Sequence, residues 1–451
     1  MRKYFGTDGI RGEANLILTV DLALRLGYAL GHYLKTQKPN KDIKVILGTD
    51  TRVSGYMLRS SLLAGLTSVG VKVDFVGVLP TPGVAYITRA KKADAGIMIS
   101  ASHNPVKDNG IKIFNADGYK LADEIEEEIE KIMDNYHELI KNPLAGDKVG
   151  RFKYALDEYY MYRDYLLKSV NTNFKGMKIV IDTANGASYR IAKDVFSELG
   201  AEIVCINDVP NGYNINVKCG STDIGILSKV VVGYQADLGL AYDGDADRLI
   251  AVDRNGNAVD GDKIISVLAM NMKKENKLKN DTVVTTVMSN MGFENYLKNN
   301  GIKLVRANVG DRYVLEKMKQ EQINLGGEQS GHIILSDYST TGDGVLTSIK
   351  LVEALKLSGK DLVDIQKEIE IWPQTLINIR VDNSKKNNWK ENEKIVSFIE
   401  KIEEEFKDKL RILVRASGTE PLIRVMVEGQ SQNLVEEKSK IIASFLEKEL
   451  N

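Results

Sequence analysis

The sequence predicts an α/β protein made of three consecutive α/β domains of similar plan and a smaller C-terminal α+β domain. Three observations lead there. Short apolar runs end abruptly in small or polar residues and alternate with helical stretches; that grammar occurs three times; and it changes after about Pro373. A chain of 451 residues also suits three or four domains at roughly 100 to 200 residues each.

In the first unit, residues 1–150, Tyr4 to Gly12 packs three glycines around Asp8 and Arg11 and reads as a tight loop presenting Arg11. An amphipathic helix is expected from about Asp21 to Leu34, then a strand from Lys44 to Leu47 ending in Gly-Thr-Asp-Thr-Arg-Val-Ser-Gly. A helix to about Ser68 and a strand from Lys72 to Val76 complete a βαβ pattern. The run Ala95 to Ile99 is the next strand, and Asn104-Pro105 stops it from continuing. Ser102 therefore lies on a loop at a strand end, where α/β sheets bind ligands. His103, Lys107 and Lys112 give it cationic surroundings suited to phosphate, although the same residues also serve in plain turns. The helix from Asp123 to about Tyr136 closes the unit, and its dense glutamates read as a solvated face.

The second unit, residues 151–255, has strands at Lys178 to Ile181, Glu202 to Ile206 and Leu238 to Tyr242, the last running into a polar loop at Asp243. The third, residues 256–370, has strands at Thr282 to Val287 and Ile302 to Val305 and a polar loop from Gly326. Parallel α/β layers are the economical reading of each. The final unit, residues 371–451, places strands at Thr375 to Val381, Arg411 to Arg415 and Leu422 to Val427 between helices at about Glu391 to Phe406 and Asn433 to Leu450. The charged stretch Asp382 to Lys394 reads as an exposed connection.

Composition narrows the partners. With 61 basic and 62 acidic residues, no global field draws the chain to nucleic acid or membrane. Cys205 and Cys219 lack metal-ligand spacing and read as reduced structural thiols. The first residues have no signal-peptide core, and no run approaches the roughly 18 apolar residues of a span, so a cytoplasmic protein is expected.

Three further loops carry chemistry. Asp243-Gly-Asp-Ala-Asp-Arg248 alternates carboxylates with small residues. On a straight strand the outer two would stand about 13 Å apart. Oxygens on one Mg²⁺ cannot exceed about 4.2 Å, so the loop must curl, which Gly244 and Ala246 permit. Oxygen ligands without His or Cys favour Mg²⁺ over Zn²⁺. The stretch Gly326 to His332 sets Glu328, Gln329, Ser330 and His332 among glycines, short groups able to hydrogen-bond several sugar hydroxyls. Arg415-Ala-Ser-Gly-Thr-Glu-Pro, with Arg424 on the next strand, offers two arginines, two hydroxyls and backbone N–H groups, a phosphate clamp.

Together, Phe5-Gly-Thr-Asp-Gly-Ile-Arg-Gly12, Ala101-Ser-His-Asn-Pro105, the Asp243 to Arg248 loop, Gly327-Glu-Gln-Ser-Gly-His332 and Arg415 to Pro421 resemble the α-D-phosphohexomutase superfamily along essentially the whole chain and in the expected order. The resemblance implies four domains around a central cleft, each lending one loop. It implies a phosphoserine at Ser102, with Ser102, Asp243, Asp245 and Asp247 holding Mg²⁺. Arg11, Lys112 and His103 would serve catalysis near that serine. Arg248, Glu328, Ser330 and His332 would bind the sugar, and Arg415, Ser417, Gly418, Thr419 and Arg424 its far phosphate. Ala246 departs from a position often held by glycine in the superfamily.

The implied reaction is isomerisation of glucosamine 6-phosphate to glucosamine 1-phosphate through a hexosamine 1,6-bisphosphate, feeding UDP-N-acetylglucosamine and peptidoglycan precursors. Gln329 beside Glu328 leans toward the amino sugar. The expected partners are a small phosphosugar and, at most, a second copy of the chain in a homodimer. Rival readings are a sibling mutase for mannose or glucose phosphates, an aspartyl-phosphate phosphatase using Asp243, and a non-enzymatic phosphosugar-binding protein. The last leaves Ser102 and the three aspartates without a joint purpose.

Overall fold

The computed structural model describes residues 3–382, 386, 388–407, 409–416 and 421–450. They form two compact units, Met1–Met288 with Ile302–Gln366, and Ser289–Gly301 with Lys367–Asn451.

The larger unit contains three sheets. The first has strands β1 (Ile10–Glu13), β2 (Lys44–Thr49), β3 (Lys72–Val78), β4 (Ala95–Ile99), β5 (Asp108–Asn115) and β6 (Phe152–Tyr154), in the order β1-β5-β4-β2-β3-β6. The second has β7 (Lys178–Asp182), β8 (Glu202–Ile206), β9 (Leu238–Tyr242), β10 (Leu249–Asp253) and β11 (Ala258–Val259), in the order β11-β10-β9-β7-β8. The third has β12 (Thr282–Thr286), β13 (Lys303–Ala307), β14 (Leu325–Gly327) and β15 (Ile333–Leu335), in the order β13-β12-β14-β15. Their central strands are buried along their length, as apolar runs covered on both faces should be.

The sheets are mixed, which corrects the expectation of parallel layers. β2 pairs with β3 and β4 in parallel, but β4 to β5, β9 to β10 and β14 to β15 are antiparallel. The reason is chain length. A parallel return needs a crossover of about a dozen residues or more, whereas the chain re-enters the sheet shortly after Ile99, Tyr242 and Gly327. Each of these three strand-to-strand connections is therefore a short loop at a sheet end, and each carries candidate chemistry.

Two local expectations also change. The loop expected from Tyr4 to Gly12 ends sooner, because Arg11 already lies on β1, which pairs antiparallel with β5 so that Arg11 faces Gly110. Gly9 in that loop has φ +79°, and a Cβ there would approach the Ile111 carbonyl oxygen to 2.3 Å. In the helix Asp123–Asp134 the glutamates are not uniformly solvated, since Glu126 and Glu130 are buried. The Glu130 carboxylate accepts from the backbone N–H groups of Lys3, Tyr4 and Phe5 at 2.7, 2.6 and 2.8 Å, anchoring the segment that leads to Asp8 and Arg11. Glu130→Ala is expected to cost about 1–3 kcal/mol by leaving amides unsatisfied. Urea unfolding measures this, and an unchanged midpoint would mean that the three amide contacts add no net stability.

The smaller unit holds the sheet β16 (Gln374–Arg380), β17 (Leu410–Ala416) and β18 (Leu422–Gly429), antiparallel in the order β16-β18-β17. Helices Glu393–Glu405 and Gln432–Leu450 pack Ile395, Ile399, Ile442 and Leu446 into a core with Val414, Ile423 and Val425. No described helix in the chain is long and apolar enough to cross a membrane.

Candidate functional site

Ser102 follows β4 with φ +52°, a left-handed conformation uncommon outside glycine, and is 1% exposed. Its hydroxyl donates to Asp243 Oδ2 at 2.5 Å and lies 3.2 Å from His103 Nδ1. The loop after β4 is thus brought against the loop after β9. Gly244 makes the approach possible, because a Cβ there would stand 2.5 Å from the Ser102 carbonyl oxygen.

The aspartate loop curls as its spacing required. Ala246 has φ +54°, and carboxylate oxygens of Asp243, Asp245 and Asp247 all lie within 4.8 Å of one another. All three residues are buried. Asp245 Oδ1 and Asp247 Oδ1 are buried and make no hydrogen bond among the described residues, which leaves their lone pairs open to a ligand. A hard divalent cation fits that donor set.

Around this cluster, charges alternate. Lys112 Nζ, on β5, reaches Asp245 Oδ2 at 2.8 Å and Asp247 Oδ2 and Asp8 Oδ2 at 3.3 Å. Asp8 pairs with Arg11 and with Lys120, and Lys120 reaches Asp311 Oδ2 at 2.5 Å. His332 stands between Asp247 and Asp311, 3.7 Å from an oxygen of each, and its Nε2 accepts from the Gly342 N–H at 3.1 Å.

The titration behaviour follows. Burial, Asp247 and Asp245 push Asp243 well above the usual carboxylate range. Burial acts the same way on Asp247, but Lys112, His332 and Arg248 outweigh it and hold that group well below. Burial alone would lower Lys112; Asp245, Asp8 and Asp247 overcome it and raise it well above its ordinary value. Lys112 is therefore a fixed cation. His103 goes the other way: burial, Arg248 and Arg11 lower it to about 4, so it is neutral at pH 7.

These facts revise the cationic surroundings expected for Ser102. Lys112 is present, His103 contributes a neutral ring, and Lys107 points out to solvent beside Glu13 at 3.3 Å. Arg248 is largely buried, with its N–H on Asp243 Oδ1 at 3.2 Å and its guanidinium 3.9 Å from Asp247. The sugar-loop candidates join the same wall, since Arg248 bridges to His332 and the Leu249 N–H donates to the Gly331 carbonyl at 3.0 Å. Glu328 is half-buried and Ser330 exposed. Glu328 Oε1 accepts from the Gly310 N–H at 3.1 Å, while Gln329 Nε2 donates to Asp260 Oδ2 at 3.2 Å. Asp260 caps the helix Gly261–Lys274, so Gln329 anchors the loop.

In the smaller unit, Arg415 and Arg424 are direct cross-strand partners on β17 and β18. Like charges so placed repel, and burial together with Arg424 lowers Arg415 from its ordinary value. An anion held between them would relieve this repulsion. Ser417, Gly418 and Thr419 lie outside the described residues.

Several participants escaped the sequence reading. Asp8, Lys120 and Asp311 complete the charge network from three separate segments, and Thr81, which opens the helix Thr81–Ala90, donates to Asp245 Oδ2 at 2.5 Å. Asp8 stood in a noted loop without a role. Nothing in the sequence around Thr81 or Lys120 signals a partner more than a hundred residues away.

Comparison with known proteins agrees. Residues 2–139, 160–256 and 260–371 match the phosphoglucomutase/phosphomannomutase alpha/beta/alpha domains I, II and III, and residues 376–444 match the C-terminal domain of the same family. Phosphoglucosamine mutase of Fusobacterium nucleatum is 69% identical and that of Clostridioides difficile 51%, each covering 100% of both chains. Among solved structures, a phosphoglucomutase/phosphomannomutase family protein of Burkholderia thailandensis superposes with a TM-score of 0.84 at 21% identity, covering 100% of this chain and 99% of its own. Aspergillus fumigatus N-acetylphosphoglucosamine mutase, in complex with GlcNAc-6P and magnesium, gives 0.67 at 16% identity, with coverage of 100% and 96%. The two structures share the fold. With four domain matches in order and full-length relatives at such identity, the chain belongs to the phosphoglucosamine mutase family of the phosphohexomutase superfamily.

Proposed function

We propose that this mutase interconverts glucosamine 6-phosphate and glucosamine 1-phosphate, carrying the phosphoryl group on Ser102 through a hexosamine 1,6-bisphosphate. The observation that carries this reading is the buried Ser102 hydroxyl set 2.5 Å from an aspartate of a three-carboxylate cluster, with Lys112 beside that cluster. Asp243, Asp245 and Asp247, with the Ser102 phosphate, would hold Mg²⁺, which supplies charge neutralisation for the transferring phosphoryl group. The chain's own residues do the rest. Lys112 keeps a positive charge beside the transferring group, and the buried wall of the site excludes water. When the phosphoryl group passes to the sugar hydroxyl, that hydroxyl gives up its proton and Ser102 Oγ takes one up, ending as the hydroxyl that donates to Asp243 Oδ2. Transfer of this kind rests mainly on alignment and electrostatics.

Arg248, Glu328, Ser330 and His332 are proposed to hold the sugar, and Arg415, Arg424, Ser417, Gly418 and Thr419 the phosphate that is not reacting. Arginine suits the latter task because its forked donors match phosphate oxygens. The relatives' names support glucosamine as the sugar; the Gln329 amide nitrogen, donating to Asp260, helps hold the loop beside it.

Side-by-side turnover of glucosamine, glucose and mannose 6-phosphates in Mg²⁺ tests the proposal. The expected result is the highest kcat/KM for glucosamine 6-phosphate. Equal or faster turnover of either neutral sugar would reassign the substrate to a sibling activity.

A further inference from the structure

Beneath the Ser102 loop lies a buried ion pair with no part in the site as described so far. Asp50 and Arg52 follow β2, and the side chains of both are 0% exposed, with Arg52 Nε on Asp50 Oδ2 at 2.9 Å. A buried pair of this kind seldom adds net stability over apolar packing. Its geometry answers to something else. Arg52 Nη2 donates to the carbonyls of Ser102 at 2.9 Å and Asn104 at 2.7 Å, and Nη1 to those of Pro105 at 2.5 Å and Asp108 at 3.1 Å. Asp50 Oδ2 accepts from the Ser100 hydroxyl at 2.7 Å, whose oxygen in turn accepts the Ser102 N–H at 2.9 Å. Both peptide groups flanking Ser102 are therefore tied, directly or through Ser100, to one ion pair. From the second sheet's side, Asn216 Nδ2 reaches the same Ser102 and Asn104 carbonyls at 2.8 and 3.2 Å.

We propose that Arg52 is a positioning residue for phosphoryl transfer. By drawing four carbonyls inward it holds Ser102 in its left-handed conformation and aims Oγ at the aspartate cluster, while Asn216 registers the loop against the domain that carries those aspartates. The inference rests on Ser102 being the phosphoryl carrier. Lysine in place of Arg52 keeps the charge, but one ammonium cannot serve two pairs of carbonyls and Asp50 together. A misplacement of about 1 Å costs roughly a hundredfold in rate.

The test is Arg52→Lys in the full chain, primed with glucose 1,6-bisphosphate, with kcat and KM measured alongside circular dichroism and phosphopeptide mass analysis. We expect a folded protein, phosphate still found on Ser102, kcat lowered about ten- to a hundredfold, and KM within about twofold. A folded Arg52→Lys protein with parental kcat overturns the proposal. So does a fall in kcat accompanied in proportion by loss of helical signal, which would make the pair merely structural. Should Arg52→Lys not fold, Asn216→Ala decides: kcat reduced severalfold at constant KM supports positioning, and parental kcat refutes it. Phosphate found elsewhere than Ser102 in the parent enzyme removes the carrier reading and this proposal together, whereas phosphate on Ser102 with unaffected variants removes this proposal alone.

Discussion

Ser102→Ala is expected to abolish phosphate on the protein and to lower turnover by about four orders of magnitude or more, as loss of a covalent nucleophile does. The hydroxyl is the only atom group removed, and its hydrogen bonds are to Asp243 and His103. The fold should survive, because the loop is held through backbone groups that alanine keeps: the residue 102 carbonyl to Arg52 and Asn216, and its N–H to Ser100. Alanine in the left-handed region adds only a modest strain. Intact-mass analysis reads the phosphate and coupled assay reads the turnover. The same experiment separates serine from aspartate as carrier, since an acyl phosphate on Asp243 is cleaved by hydroxylamine and a phosphoserine is not. A hydroxylamine-labile phosphate persisting in Ser102→Ala would transfer the carrier role to Asp243.

The second large effect concerns the aspartates. Replacing Asp243, Asp245 or Asp247 by Asn keeps shape and removes one charge, and activity is expected to fall by at least about a hundredfold, the loss typical of one electrostatic stabiliser. Stability should move the other way at Asp243. Its carboxyl is held well above the usual range by burial, Asp247 and Asp245, so the folded state retains a proton that the unfolded chain has lost. Without bound cation, stability therefore falls as pH rises from the unfolded value through the folded one. Asp243→Asn removes that fall and should stabilise the ion-free protein at neutral pH. Asp247 has the opposite sign. Its lowered value contributes stability above the unfolded range that is lost as pH drops through the folded one. Cation binding must displace the proton from Asp243, so apparent Mg²⁺ affinity should rise with pH. Isothermal titration with Mg²⁺ at several pH values, with thermal unfolding of the Asn variants, checks each sign. Undiminished turnover in excess chelator would end the case for a metal.

The α/β class and the small C-terminal α+β module were legible in the chain's local patterns alone. Those patterns also marked the loops of Ser102, Asp243 to Asp247 and Glu328, since each depends on residues close together in the chain. The curled aspartate loop is the clearest case: alternating carboxylates and small residues have few other ways to share one ion, and Ala246 takes the left-handed turn they need. Everything that depends on which strands become neighbours came only with the fold. Antiparallel returns after β4 and β9 set Lys112 beside Asp245 and Ser102 beside Asp243, pairs separated by more than a hundred residues. Lys107 and Lys112 look alike in sequence, yet one faces solvent and the other is buried among carboxylates. His103 looked cationic and is neutral, because burial and two arginines act on it only in the fold. Glu130 looked like one more surface charge until the N-terminal amides arrived to use it. Local pattern fixes which loops can do chemistry; charge state and partners are set by burial and long-range contact, which no short stretch of sequence contains.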